Sequence, residues 1–322
     1  MSYHFKADET TDQGLRRIAH EQTLKAIDVL DVAPLPMSAK IHDMRKRCKK
    51  VRGLLRLVRG SNTDLYDVEN KRFREIAKTV SARRDATSMI EAFDKLIEGH
   101  EDKLNVASFA PAHAGLVRRR DEVRQESEDI NVVVGELLAE LKEGAKAIED
   151  WSLPEADEEV AGFDLFRGGF VKTYADGQEA MEVALEKPTR GNIHEWRKRA
   201  KDHWYQVRLL RESWSVPMKS RRRATKRMAD HLGDDRDLTL LRDTLTEQPE
   251  QFGGVDVVEI VIGLIDREHE QLRLRAMDVG RRLYAEEPES IADRFERYWM
   301  SWRESESRLP AEIAEFEDAV ST

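Results

Sequence analysis

Residues 41–59 read IHDMRKRCKKVRGLLRLVR, and residues 193–211 read IHEWRKRAKDHWYQVRLLR. The second copy follows the first by 152 residues without a gap, and nine of the 19 positions are identical. Ile41, His42, Arg45, Lys46, Arg47, Lys49, Arg56, Leu57 and Arg59 match Ile193, His194, Arg197, Lys198, Arg199, Lys201, Arg208, Leu209 and Arg211. Six of the nine are Lys or Arg and one is His. A helix repeated only for packing keeps its apolar positions first. This one keeps its cations, which points to an anion site assembled from two halves.

At about 100° per residue the first copy divides into two faces. Ile41, Met44, Cys48, Val51, Leu55 and Val58 step by three or four and form a core face. His42, Arg45, Lys49, Arg52, Arg56 and Arg59 step the same way one residue later, and this adjacent stripe holds no carboxylate. It runs roughly 25 Å at the helical rise. The second copy repeats the stripe as His194, Arg197, Lys201, Trp204, Arg208 and Arg211, beside a core face of Ile193, Trp196, Ala200, His203, Val207 and Leu210. A solvated helix face mixes signs, because Glu–Lys pairs at i,i+4 stabilise it and like charges repel. A single-sign stripe costs stability unless something negative lies against it. That partner is either a bound anion or the acidic helices of the chain itself. The duplication of the cations favours the ligand.

The next helix in each half adds to the same chemistry. Lys71 and Arg74 match Arg223 and Lys226, and residues 219–227 hold six cations and no acid. Guanidinium groups bind phosphate bidentately and ammonium groups bind it as point charges, so facing helices that mix both suit a chain of phosphates. The candidate ligand shell is therefore the two stripes with Lys46, Lys198, Lys71, Arg74, Arg223 and Lys226. His42 and His194 head the stripes, where each could donate to an oxyanion. Few aromatics interleave with these cations, so base stacking is poorly provided for and nucleic acid is disfavoured.

Charge distribution supports one localised site. The 322 residues carry 54 Lys and Arg against 63 Asp and Glu, a net −9. Residues 40–84 hold 15 cations and 5 acids, and residues 194–227 hold 12 and 3, so the remainder is at −28. An acidic body repels long polyanions over most of its surface and admits them where the basic segments lie. No apolar run approaches the roughly 18 residues of a membrane span. The acidic, polar start of the chain reads as neither a secretory signal nor a transit peptide. The single cysteine, Cys48, precludes an internal disulfide and a cysteine-based zinc site, and fits a reducing cytosol. A cytoplasmic location is expected, with no cofactor and no metal.

Helical periodicity covers almost every stretch, so an all-α fold is expected. The helices fall at about 11–30, 38–59, 68–80, 83–98, 113–149, 158–186, 190–212, 216–231, 235–247, 255–284 and 288–305. Ser38 can cap the second helix and Asn192 precedes the repeat helix. The register extends to Arg84-Asp85 over Arg236-Asp237, read as a structural pair. The expected architecture is two pseudo-twofold-related bundles, 1–155 and 156–322, of about four long helices each. The acidic stretch 151–159 joins them. His42-Asp43 lacks the companions of a metal motif, and Glu268-His269-Glu270 reads as a solvated face. No Gly-rich phosphate loop, serine nucleophile elbow or HExxH is present.

These residues resemble the CHAD family, the conserved histidine α-helical domain. The match lies in His42-Asp43-Met44-Arg45-Lys46 with Lys49, in His194-Glu195-Trp196-Arg197-Lys198 with Lys201, and in the later Leu232-Gly233 with Arg236-Asp237. The earlier counterpart of that last element is altered to Val80-Ser81 with Arg84-Asp85. The resemblance implies two four-helix bundles around a basic groove or pore that binds inorganic polyphosphate, in some members at polyphosphate granules. Many members carry a CYTH domain as well, for which this chain has no room, so the tripolyphosphatase activity of that partner is not implied. A non-enzymatic binding protein is expected. A generic polyanion or nucleic-acid binder, or a histidine-dependent phosphotransfer or phosphatase protein, stands as the alternative. Trp204 and the altered Val80-Ser81 depart from the pattern and imply unequal halves.

Overall fold

The computed structural model describes the backbone of residues 3–100, 105–125 and 130–320, and their side chains except at 81–85, 124–125 and 307–320. The fold is all-α, and the described residues contain no strand. In chain order the α-helices are α1 Thr11–Asp31, α2 Met37–Val58, α3 Thr63–Lys78, α4 Ser81–Glu98, α5 Ala110–Gln125 and α6 Ile130–Ala147. They continue with α7 Asp164–Glu186, α8 Arg190–Leu209, α9 Ser215–Glu247, α10 Val255–Leu283 and α11 Pro288–Val320.

Local chemistry sets several of these boundaries. Thr10 and Gln13 form a capping box at the start of α1, each side chain bonding the other's backbone N–H. Asn62 accepts from Leu65 N and starts α3 five residues earlier than periodicity predicts. The cap of α8 is Thr189, which accepts from Asn192 N, so Asn192 lies inside the first turn. Ser38 likewise lies inside α2, whose cap position is Pro36 with no side-chain bond. Helix α7 begins at Asp164 rather than 158 because Ala161 and Gly162 adopt φ of 52° and 77°, outside the helical region. The stretches expected at 216–231 and 235–247 form one helix, α9, that runs straight through Gly233.

Packing buries the expected core faces. Ile41, Met44, Cys48, Val51, Leu55 and Val58 are all buried, as are Ile193, Trp196, Ala200, His203, Val207 and Leu210. One large apolar cluster takes residues from α1, α2, α3 and α6 together with residues from α7, α8, the first half of α9 and α11. A smaller cluster joins α4 and α5 to the far half of α9 and to α10. The segment between α6 and α7 is tied down as well: Trp151 is buried, and its carbonyl accepts from Arg16 Nη1 at 2.8 Å.

Two close approaches bring the basic helices together. Helix α7 lies on α2 at Gly169, where a Cβ would stand 2.1 Å from the Leu57 carbonyl oxygen. Helices α2 and α8 meet at Gly53, which receives the Tyr205 side chain; a Cβ there would be 2.7 Å from Tyr205 Cβ. The chain's first described residues seal this contact. Tyr3 is buried, its hydroxyl donates to the Lys50 carbonyl at 2.8 Å, and its ring meets that of Tyr205 edge-on.

Candidate anion-binding groove

Residues N-terminal to the Gly53–Tyr205 contact project cations from α2 and α8 into one space, and α9 adds another. Lys49 shows the convergence. Its side chain is exposed over part of its length, yet its amine is pushed down to about 8 by desolvation among its neighbours, then by Arg45 of its own helix, Arg197 and Lys201 of α8, and Arg236 of α9. No carboxylate stands among these leading influences, and Lys49 makes no hydrogen bond or ion pair among the described residues. Crowding of like charge at partly desolvated positions raises the energy of the unliganded state. It also gives a bound anion several donors at once.

The neighbours of Lys49 are held by packing. Arg197 lies against Gly233, where a Cβ would come 3.4 Å from its Nε, and that Nε is buried without a hydrogen-bond partner. Burial pushes its guanidinium down, Asp237 opposes the shift and Arg236 adds to it. Arg45 reaches the Val80 carbonyl at 3.5 Å. Lys201 shares Asp230 with Lys226, at 3.5 and 2.5 Å, so one carboxylate serves two ammonium groups. His194 lines a small cavity of about 280 Å³ with Arg190, Asp235, Arg236 and Thr239. Burial pushes its imidazole down, as do Arg236, Arg197 and Lys198. His42 is exposed near the start of α2.

At the contact and beyond it the stripes diverge in role. Arg56 pairs with Asp202 of α8 at 3.2 Å, both largely buried, and Arg59 pairs with Asp176 of α7 at 3.4 Å. This end of the first stripe is a salt-bridge rim within the protein. Arg52 donates to Asn70 Oδ1 at 3.0 Å, and burial followed by Arg56 pushes it down to about 10. Arg208 has no carboxylate partner among the described residues. It stacks on Trp204 and Tyr3, with ring centroids 4.6 and 5.0 Å from its Cζ. Trp204 also carries Lys201 at 4.8 Å, so the aromatic departure in the stripe is a shelf for two cations.

The remaining expected residues lie further out. Lys46 and Lys198 are exposed and pair with Asp43 at 3.6 Å and Glu195 at 2.6 Å. Arg211 pairs with Glu212 at 2.7 Å, and Arg74 with Glu75 at 3.0 Å. Lys71 and Arg223 are exposed and have no ion pair among the described residues.

Sequence reasoning missed Arg236 as a member of the cluster. It bonds Asp237 at 3.0 Å, as a structural pair would, yet it also acts on Lys49, Arg197 and His194. Its signal was the spacing of Arg222, Lys226, Gly233 and Arg236 along one face of α9, which shows only when α9 is read as unbroken. The Arg84-Asp85 counterpart lies outside the described side chains. His269 is not on a solvated face: it is buried against Asp235, because α10 turns it toward α9. The described residues contain no group of His, Cys, Asp and Glu able to hold a metal. None of their helices is long and apolar enough to cross a membrane.

A model of the CHAD domain matches residues 24–246, which include both copies of the basic helix and end one residue before α9 does. The chain belongs to the CHAD domain family. CHAD domains are known in general for binding polyphosphate. The match spans 223 of the 322 residues and leaves α10 and α11 beyond it. No curated protein matches the chain.

Proposed function

We propose that this CHAD protein binds inorganic polyphosphate and does not hydrolyse it, with the phosphates lying between α2, α8 and α9. The observation that carries the reading is Lys49, pressed by Arg45, Arg197, Lys201 and Arg236 with no acid among its leading influences. An internal salt-bridge device would place a carboxylate on Lys49 as the protein does at Arg56 and Arg59; Asp230 and Asp237 serve the neighbouring cations Lys201 and Arg236. The inner shell is Arg45, Lys49, Arg197, Lys201 and Arg236, with His194 at its head and Arg208 on its aromatic shelf. Arg52, Lys71, Arg74, Arg211, Arg223, Lys226, Lys46, Lys198 and His42 form an outer shell that guides the rest of the chain. In this reading 1–155 and 156–322 are pseudo-twofold-related halves, and the acidic exterior confines polyanions to the groove. Such a protein would sit at cytoplasmic polyphosphate granules.

The mechanism is charge-assisted hydrogen bonding with counterion release, so affinity falls steeply with salt, by a law established for nucleic acids. Calorimetry of long-chain polyphosphate against RNA of equal charge, at two salt concentrations, tests it. Preference for polyphosphate without chain shortening supports the reading. Equal binding of RNA would reduce the groove to a generic polyanion patch. The double variant R45E/R197E should abolish binding with helicity intact, and unchanged affinity would remove the groove from the mechanism.

A further inference from the structure

Beside the head of the groove lies a second cleft of about 550 Å³, which shares Arg190, Ile193 and Thr239 with the His194 cavity. Its lining is mixed: Leu185 of α7 and Leu274 and Met277 of α10 give it an apolar side over the buried Ala184, Ile193 and Trp196, and charged residues line the rest. Leu274 stays 47% exposed, which leaves the cleft open to solvent. One end of the cleft is polar. There Asp235, 1% exposed, accepts at Oδ1 from His269 Nδ1 at 2.8 Å and from Arg273 Nε at 2.7 Å.

The donors left over are the informative part. A carboxylate only accepts, so Nδ1 of His269 carries the proton and Nε2 is the remaining nitrogen. Neither Nε2 nor the two Nη atoms of Arg273 makes a hydrogen bond among the described residues, and both side chains line the cleft. An arginine present only to neutralise Asp235 would turn its two-pronged end onto that carboxylate. Arg273 gives Asp235 its Nε alone and keeps the fork for something else. The other cations at the mouth are engaged: Arg190 by Asp243 and Arg242 by Asp266. Glu270 also lines the cleft and is exposed, which disfavours a ligand with more than one negative charge.

We infer that this cleft binds a small carboxylate with an apolar body, its carboxylate on the Arg273 fork and the His269 Nε2 and its body against Leu185, Leu274 and Met277. A planar fork matches a carboxylate in two parallel bonds. The volume is within the range of small-molecule sites, which pair an apolar lining with a few converging polar groups. The polar end of the cleft, His269 and Arg273, comes from α10, which lies beyond the matched CHAD residues, and the inference does not rest on the polyphosphate reading.

The test is calorimetry on the full chain with 2-naphthoate, 2-naphthyl phosphate and the neutral 2-naphthalenemethanol. One 2-naphthoate should bind per chain, with the alcohol at least about tenfold weaker, as expected when a charged hydrogen bond is lost. R273Q should weaken 2-naphthoate by a similar factor. If R273Q fails to fold, L274E at the open edge should block binding by adding a negative charge where the apolar body lies. Equal binding of the alcohol, tighter binding of the phosphate, no binding at millimolar 2-naphthoate, or 2-naphthoate affinity unchanged in L274E would overturn the assignment.

Discussion

Raising the pH from 7 to 9 should weaken polyphosphate binding through Lys49. In the unliganded protein this amine titrates near 8, held down by desolvation and four neighbouring cations. A phosphate chain laid against it would return it toward the ordinary lysine value of about 10.4. Below pH 8 the amine is protonated with or without ligand, and this group adds no pH dependence. Above pH 8 the unliganded amine has lost its proton, and binding must draw one back, so affinity falls as pH rises. Full recovery of the ordinary value makes binding about tenfold weaker at pH 9 than at pH 7, with uptake of about half a proton at pH 8. Lys49 is exposed, so solvent screening reduces the effect, and about two- to fivefold is expected. The internal phosphates of a long chain are ionised throughout this window. His194, pushed below its ordinary value, titrates beneath it. The assay is calorimetry in two buffers of different ionisation enthalpy, which yields proton uptake directly, with K49M as the control. K49M should bind more weakly at pH 7 and lose the pH-dependent step. Zero proton uptake at pH 8 in the native protein, or the same pH dependence in K49M, would refute the reasoning. The same shift has a folding consequence. The unfolded chain holds this proton to higher pH than the folded one, so Lys49 contributes a gain in stability as pH rises from 8 toward 10.

Three further outcomes follow from the packing. Gly169→Ala should cost about 3 kcal/mol in urea unfolding, because its Cβ would meet the backbone oxygens of Leu57 and Arg56, which cannot rotate aside; a loss within experimental error would contradict the helix contact. Asp202→Asn leaves Arg56 without its partner in a largely buried pair, and about 3 kcal/mol of stability should go with it. A nearly unchanged unfolding midpoint would show that the pair is solvated. The Cys48 thiol is 1% exposed and pushed up to about 12 by burial, so a thiol reagent at pH 8 should react only as fast as the protein opens. Rapid labelling of the native protein would disprove that burial.

Much of the candidate site's geometry was legible because helices make sequence spacing into geometry. The core faces of both basic helices are buried residue for residue, and the stripe beside them carries the converging cations. What sequence spacing could not supply was the partner of each cation. Arg56 and Arg52 lie one turn apart on one stripe, yet Arg56 meets Asp202 and Arg52 meets Asn70, and only the crossing of helices decides which. The division of α9 had a similar cause. Gly233 reads as a helix breaker by propensity, but here it is the place where Arg197 lies close against the helix, and tertiary packing outweighs about 1 kcal/mol of propensity. Losing that continuity lost the phase relation between Lys226 and Arg236. His269 was misread because a charged flank on each side suggests solvent, whereas its own position on α10 faces a buried aspartate.

The Gly53–Tyr205 contact makes the two copies of the basic helix unequal. The two positions are counterparts at the 152-residue offset, yet one is the smallest residue and the other among the largest. Two identical chains meeting in this register would bring two tyrosines into the space of one, or two glycines around a void. At this crossing α2 is the socket and α8 the plug, so the two copies of the basic helix are not interchangeable.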